Sequence, residues 1–338
     1  PVNPAFASLN LAQAVLLFGY AWSRHDPAGA PAAAAPEKEG SLTNTQRLIQ
    51  WHQKAVDPPG DCRSELWFFF HLGRILRERL ADPRVWDKDH APGSGWFHYT
   101  NLNFPVVATV MERATGERFD HLMQRLVIRP LKLDACFNWS GCSPAALRRA
   151  VVLYRANGDV AKDDLGGRAP DCLVMPAVDG SCDLPRYTPG DNGALFSPQG
   201  GLRISMKGLA RLGQMMAREG RGFLSLRAYA EMTHARWRFD GSNGVGEDGT
   251  ASGFFCAYGL AIHRIDTRGE HCRDGLFGDG IARIGHSGDA YGLKAGLWFD
   301  PWTGRGVAYF TSAVPGDDKG SRSAFSVAEE GLVDRIKR

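Results

Sequence analysis

The sequence predicts a mixed α/β (α+β) fold in which an antiparallel sheet is flanked by helices and joined to a further helical region. Four stretches in the C-terminal part alternate apolar and polar residues, as antiparallel strands do: FCAYGLAIHRI, ARIGHSG, LKAGLWFD and GVAYFTSAV. Apolar residues at helical spacing follow Ser205, and an amphipathic stretch from Phe325 to Ile336 closes the chain. Strands bracketed by helices indicate this fold class.

The middle of the chain predicts the remaining elements. Helical patterns run from Pro105 to Gly116 and from Phe119 to Arg129, and a loop-rich insertion rich in Gly, Pro and Asp covers about Cys136 to Asn192. Ser205 is the expected N-cap of the next helix. The apolar face of that helix is expected to lie in the core and consists of Leu209, Leu212, Met215 and Met216.

Composition and charge exclude several kinds of partner. Of the 338 residues, 43% are hydrophobic and 23% are charged, as in ordinary globular proteins. The formal net charge is only +3 and no basic block stands out, so we expect neither nucleic acid nor an anionic membrane as a partner. The apolar stretch from Leu11 to Trp22 is too short to span a bilayer. It lacks a preceding positive segment, which favours an amphipathic or buried helix over a signal peptide.

The seven cysteines are informative through their spacing. Six of them form near-neighbour pairs: Cys136 with Cys142, Cys172 with Cys182, and Cys256 with Cys272. Such pairs indicate local disulfides and an oxidising compartment, while six free thiols in a cytoplasmic protein are the open alternative. Cys62 is left over. No C-x-x-C pair or Cys/His cluster occurs, so no metal site is expected.

The N-terminal stretches have a different character. Ala28 to Pro36 has the small, proline-punctuated composition of a linker. The preceding residues, 1–22, resemble the closing motif of the knotted 2′-O-ribose RNA methyltransferases, which encloses S-adenosylmethionine. The matching positions are Asn3, Ser8, Leu9 and Asn10. We expect no preceding sheet for the chain to thread, and therefore an incomplete cofactor site.

Residues 37–82 contain two helical patterns around a turn at Asp57–Asp61, and they are similar to part of the molybdopterin-dependent formate dehydrogenase catalytic subunit. Cys62 alone cannot supply both the metal ligand and the iron–sulfur cluster of that enzyme, so no cofactor is expected. We therefore predict three segments: a methyltransferase-like helical fragment with its linker (1–36), a formate-dehydrogenase-like helical fragment (37–92), and a larger body (93–338).

Three motifs in the body carry a candidate site: Tyr99-Thr100-Asn101, the run from Ser197 to Leu212, and His286-Ser287-Gly288. Singly, Tyr-x-Asn is typical of a helix-capping turn and His-Ser-Gly of a strand end. In this order, with these strands and the terminal helix, they resemble the penicillin-recognising serine hydrolases of the class C β-lactamase, esterase and D,D-peptidase branch. In that family a serine forms an acyl-enzyme with an amide or ester.

The resemblance implies a role for each motif residue. Tyr99 would shuttle the proton, because a nearby lysine ammonium stabilises its anion, and Asn101 would orient the substrate amide. His286 would contact the substrate carboxylate or the tyrosine. These three are the candidate catalytic residues.

The candidate substrate-binding residues follow on the same strand. Ser287 would contact the substrate carboxylate or the tyrosine, and Gly288 would let the substrate approach the strand edge without a Cβ clash. The backbone N–H of Asp289 would form half of an oxyanion hole. The family's setting also implies a periplasmic or secreted parent hydrolase, although the compartment of this chain stays unassigned.

The family's nucleophile lies in Ser-x-x-Lys, and no serine of this chain has lysine three residues later. Ser205-Met206-Lys207 has the wrong spacing, and Ser287 would point away from His286 because strand neighbours face opposite ways. We therefore expect a body without its first strands and nucleophile helix. Its strand GVAYFTSAV would have an unpaired edge, and a large hydrophobic cavity would mark the empty helix position. A natural fusion, an assembly artefact and a deliberate chimera all fit such a composite chain.

Three functions follow from these patterns. The leading one is a serine hydrolase with little or no turnover, whose partner is a small-molecule amide or ester such as a β-lactam or a D-alanyl peptide. The second is a non-catalytic module that binds cell-wall peptides or acyl compounds. The third is an RNA methyltransferase or molybdoenzyme fragment.

Overall fold

The protein is described by a computed structural model that covers residues 38–41, 50–53, 90, 94–176, 182–245, 253–265, 269–316 and 318–336. The Leu11–Trp22 stretch, the linker, Cys62 and most of the two N-terminal segments lie outside these residues. The chain divides into two compact units, His25–Ser94 and the remainder. In the smaller unit the described residues form one antiparallel strand pair, β1 (Lys38–Ser41) with β2 (Gln50–Gln53).

This strand pair differs from the helical pattern predicted after residue 37. Its register sets Gly40 opposite Trp51 and Ser41 opposite Gln50. Glycine and serine are weak helix formers, and pairing with a partner strand overrides the weak helical spacing of this stretch.

The larger unit contains twelve described strands and six described α-helices. The strands are β3 (Phe97–His98), β4 (Ala135–Phe137), β5 (Leu153–Tyr154), β6 (Val160–Lys162), β7 (Leu202–Ile204), β8 (Trp237–Arg238), β9 (Gly244–Val245), β10 (Ala257–Tyr258), β11 (His263–Ile265), β12 (Arg283–Ala290), β13 (Leu293–Phe299) and β14 (Gly306–Thr311). The helices are α1 (Asn103–Thr115), α2 (Phe119–Met123), α3 (Pro144–Arg148), α4 (Met206–Ala217), α5 (Leu226–Thr233) and α6 (Val327–Ile336).

One antiparallel sheet organises this unit, with the strand order β14-β13-β12-β11-β10-β8. β12 and β13 pair along their length, from Ile284 opposite Phe299 to Ala290 opposite Leu293. Their connection is a two-residue turn, as suits a hairpin. Within the described part of the chain β14 is an outer strand, as expected for the GVAYFTSAV stretch.

Helix α4 packs against β13 and β14 and builds the core. The Ser205 hydroxyl accepts the N–H of Gly208, so the predicted N-cap is confirmed. The predicted apolar face is also confirmed, because its side chains are buried: Leu209, Leu212, Met215 and Met216. The absence of a side chain at Gly213 lets the helix approach Leu297 of β13, whose nearest methyl group would lie 2.8 Å from an added Cβ.

The second predicted helix, Phe119 to Arg129, changes type along its length. α2 runs directly into a π-helical turn at Gln124–Ile128. The buried side chains of Phe119, Leu122 and Met123 anchor it in the same core as α4. Among the described residues, no helix combines the length and apolar character needed to cross a membrane.

The insertion from Cys136 to Asn192 is loop-rich, as predicted, but it also contains α3 and the short hairpin β5–β6. Three disulfides are present, and they join the near-neighbour cysteines. The pairs and their Cα separations are Cys136–Cys142 at 5.2 Å, Cys172–Cys182 at 5.7 Å and Cys256–Cys272 at 5.7 Å. The alternative of six free thiols is therefore wrong for this structure.

Candidate active site

Tyr99 lies in an aromatic cluster between β3 and α1, and its side chain is buried. Its ring stacks on Phe255 with centroids 4.8 Å apart and meets the ring of Tyr258 edge-on at 6.2 Å. The His286 ring lies 6.0 Å from the Tyr99 ring. The fold thus brings together the first and last of the three sequence motifs.

His286 is held by two hydrogen bonds at its ring nitrogens. Nε2 lies 2.9 Å from the Tyr258 hydroxyl and Nδ1 lies 2.6 Å from the Ser287 carbonyl oxygen. Since a carbonyl oxygen can only accept, Nδ1 carries the proton and Nε2 accepts from the Tyr258 hydroxyl. Burial lowers the pKa of His286 to about 4, against the opposing hydrogen bond to Ser287. His286 is therefore neutral near pH 7.

Tyr258 is neutral as well. Burial, reinforced by the neighbouring Tyr99, raises the pKa of the Tyr258 hydroxyl well above its ordinary value. The proton-shuttle role that the resemblance gives to Tyr99 requires a nearby cation, which His286 does not supply near pH 7. Among the described neighbours of Tyr99, Tyr258 and His286 are therefore both neutral near pH 7.

A second buried histidine, His263, was not identified from the sequence. Its ring lies 6.2 Å from the His286 ring and stacks on Phe325 at 6.3 Å. Burial is the main cause that lowers the pKa of His263 well below its ordinary value, and the neighbouring His286 is the second cause. The register sets Tyr258 opposite His263 and His263 opposite Gly285. The alternating FCAYGLAIHRI pattern contained both residues, but it did not fix the cross-strand pairing that brings them to His286.

The predicted substrate residues lie along the C-terminal half of β12. β11 pairs only with Arg283–Gly285, so the residues from His286 onward extend beyond that pairing. Gly288 is buried, Ser287 is half-buried, and Asp289 is exposed and forms an ion pair with Lys294. Asn101 lies in the turn that leads into α1, where its carbonyl accepts the N–H of Phe104 at 3.3 Å.

A cavity of about 410 Å³ lies further along this sheet. Gly288 and Ala290 of β12 line it, together with residues of β4, β7, β13 and the start of α4. Tyr99, Asn101 and His286 do not line it. The sequence leads us to expect a large hydrophobic cavity, and the observed one differs because charged side chains from the insertion, among them Lys162 and Asp163, contribute to its wall.

Comparison with protein families gives one match. The family model named Beta-lactamase matches residues 22–331. This match includes all of residues 37–82, and no comparison supports the methyltransferase and formate dehydrogenase resemblances. No curated protein matches the chain.

Many solved structures are similar to the chain, among them the following three. A D-stereospecific amidohydrolase from Streptomyces sp. has 16% identity and a TM-score of 0.44, with 75% of this chain and 58% of that chain covered. A D-amino acid amidase from Ochrobactrum anthropi SV3, complexed with D-phenylalanine, has 18% identity and a TM-score of 0.44, with 71% and 57% covered. SurE has 20% identity and a TM-score of 0.46, with 78% and 49% covered. The chain thus spans about half to three-fifths of the length of these proteins.

Proposed function

We propose that this chain, which belongs to the β-lactamase family, is a serine-hydrolase body of the class C β-lactamase, esterase and D,D-peptidase type. Its substrate groove would follow β12 and accept an amide or ester close to a carboxylate. Because the chain contains no Ser-x-x-Lys, we propose that it forms little or no acyl-enzyme. Loss of a nucleophile typically lowers kcat by about 10⁶-fold.

The observation that carries this proposal is the approach of Tyr99 to His286, with ring centroids 6.0 Å apart. The two residues are far apart in the sequence and belong to separate motifs of the family. Their meeting at the middle of β12 supports an inherited groove, in which Asn101 and the strand segment Ser287–Asp289 would contact the substrate.

The same geometry supports weak or absent turnover. Both ring nitrogens of His286 are engaged, Nε2 by Tyr258 and Nδ1 by the Ser287 carbonyl. The hydroxyl of Ser287 lies on the opposite face of β12 from the His286 ring, because side chains alternate along a strand. His286 is therefore badly placed to deprotonate Ser287, so we propose no substitute nucleophile at this position.

Intact-mass spectrometry tests the proposal. The folded chain is incubated separately with a fluorescent penicillin and with a fluorophosphonate, beside a class C β-lactamase as the positive control. We expect no adduct on this chain. A stoichiometric adduct would overturn the claim of a missing nucleophile, and its loss in Ser287→Ala, with retention in Ser205→Ala, would identify Ser287 as the reacting group.

A second candidate is a non-catalytic module that binds cell-wall peptides or acyl compounds. The cavity of about 410 Å³ beside Gly288 favours it, since ligand pockets typically measure roughly 300–1,000 Å³. Calorimetric titration with a D-alanyl-D-alanine peptide distinguishes the two candidates. Saturable binding without a covalent adduct supports the binding module, whereas an adduct with release of product supports the hydrolase.

A further inference from the structure

The cavity beside β12 has the composition of a ligand site. Residues of the sheet and of the start of α4 line it, and its apolar lining includes Leu202, Met206, Leu293 and Phe310. Among the residues predicted to bind substrate, only Gly288 lines it. An inference about this cavity rests on and deepens the second candidate function, the non-catalytic binding module. It is independent of the hydrolase, because it requires neither Tyr99 nor His286 and no acylation.

Charged side chains also line the cavity. Three are cationic, Arg149, Lys162 and Arg203, and two are carboxylates, Asp134 and Asp163. Arg149 pairs with Asp134 at 2.5 Å, and Arg203 pairs with Asp163 at 3.1 Å. Among the lining residues that the structure describes, cations therefore outnumber carboxylates by one, which favours an anionic ligand.

Lys162, at the end of β6, contacts the side chain of Tyr291. Its Nζ lies 3.5 Å from the Tyr291 hydroxyl and 5.2 Å from the centroid of the same ring. A third contact, to the sulfur of Met175, measures 4.0 Å. Burial, followed by repulsion from Arg203, lowers the pKa of Lys162. The attraction of Asp163 opposes both effects, and an anion in the cavity would act in the same direction.

The backbone of Tyr291, whose ring contacts Lys162, adopts a strained conformation. With Gly292 it forms the turn between β12 and β13, and the two residues have φ values of +58° and +80°. Such turns favour Asn, Asp or Gly at the first position, and a bulky residue at positive φ costs free energy. The ring of Tyr291 packs against Lys162, which gives a physical reason for tyrosine here.

We propose that the cavity binds a small apolar monocarboxylate without covalent chemistry, with its carboxylate at Lys162 and its apolar part against Leu202, Met206 and Phe310. Tyr291 is a positioning residue in this site, because it acts by fixing Lys162. The net charge selects the carboxylate, and the apolar wall selects an arylalkyl or alkyl chain.

Calorimetric titration of the full chain with 4-phenylbutyrate and with its neutral analogue, 4-phenylbutanamide, tests this site. We expect the acid to bind about tenfold more tightly than the amide, since a hydrogen bond to a charged group contributes at least that factor. Lys162→Gln should bind acid and amide alike, whereas the exposed-lysine control Lys319→Gln should keep the wild-type preference. Ala290→Phe, which fills part of the cavity, should weaken both ligands.

The variant Tyr291→Asn tests whether Tyr291 positions Lys162 or only stabilises the turn. Asparagine suits the turn, so the thermal midpoint should stay equal or rise, while the preference for acid over amide falls severalfold. The proposal is overturned if wild-type protein binds acid and amide equally, if neither ligand binds, or if folded Lys162→Gln keeps the preference. A chain that never reacts with penicillin can still pass this test, so its outcome is independent of the acylation experiment.

Discussion

The hydroxyl of Tyr258 and Nε2 of His286 lie 2.9 Å apart, and both side chains are buried. The Tyr258 hydroxyl donates to Nε2, and Nδ1 donates to the Ser287 carbonyl. This chain of hydrogen bonds fixes one neutral tautomer of His286 and joins β10 to β12 across the site. It therefore determines both the stability of the site and its response to pH.

Replacing Tyr258 with Phe should destabilise the fold. The ring volume is kept, but Nε2 of His286 loses its donor inside a buried aromatic cluster, which costs about 1–3 kcal/mol in the free energy of unfolding. Urea unfolding followed by tryptophan fluorescence measures this change. Tyr154→Phe, at an exposed tyrosine, is the matched control and should change stability by less than about 0.5 kcal/mol. Equal effects from both variants would contradict the assigned hydrogen bond.

Stability should fall as the pH is lowered from about 6.5 towards 4. The pKa of His286 is about 4 in the folded protein and 6.5 as the ordinary value, so the unfolded chain takes up a proton first in this range. The contribution is fully present above pH 6.5 and is lost towards pH 4, by about 3 kcal/mol. His263, whose pKa is also lowered, acts in the same direction.

The matched variant for this pH effect is His286→Gln, which can still accept from Tyr258 but does not titrate. The free energy of unfolding, measured between pH 7.5 and 4.5, should fall less steeply in this variant than in wild type, with the remaining slope due to His263 and other groups. Identical slopes would show that His286 titrates alike in the folded and unfolded chain.

Glu112 of α1 should be the main link between this helix and the insertion. Its carboxylate accepts the N–H groups of Phe119 at 2.7 Å and Gly190 at 2.9 Å, and it also accepts the Tyr187 hydroxyl. In Glu112→Gln the amide nitrogen would face one of these donors, which should cost about 2–3 kcal/mol. Glu117→Gln breaks a partly exposed ion pair to Arg125 and should cost below about 1 kcal/mol. Chemical unfolding of both variants measures the difference.

Local patterns in the sequence were sufficient to predict the elements that build the core. The Ser205 cap and the buried face of α4 depend on residues within one helix, so helical spacing identified them correctly. The strands from Arg283 to Thr311 were predicted for the same reason, since alternation is a property of each strand alone. The family match further supports the fold class derived from these elements.

The surroundings of His286 could not be derived in this way. The His-Ser-Gly motif predicted a strand end but gave no information on which residue opposes the ring. Tyr258 and His263 reach it through the pairing of β10 with β11 and of β11 with β12, which is non-local. The position of Lys162 in the cavity lining could not be predicted for a similar reason. The insertion has no periodic pattern that would place the β5–β6 hairpin beside Tyr291.

The disulfides predict a simple labelling pattern. Six of the seven cysteines are paired, so at most one thiol, that of Cys62, can react with iodoacetamide in denaturant before reduction. After reduction, seven should react. Intact mass counts the adducts in both samples. Two or more adducts on unreduced protein from an oxidising host would contradict the three disulfides, and each lost bond should lower stability by about 2–4 kcal/mol.

Gly201, the second glycine of the Gly-Gly turn before β7, should tolerate no side chain. A Cβ there would lie 2.8 Å from the carbonyl oxygen of Ser197 and closer still to that of Phe196. Both atoms belong to the backbone, so neither can rotate away, and Gly201→Ala should cost about 2 kcal/mol or more.

Gly331→Ala is the control, because this exposed glycine of α6 has no atom within 4 Å of an added Cβ. Alanine is the better helix former, so this variant should gain about 0.5–1 kcal/mol. Thermal unfolding of the two variants should therefore shift in opposite directions, and a stable Gly201→Ala protein would show that the turn can open.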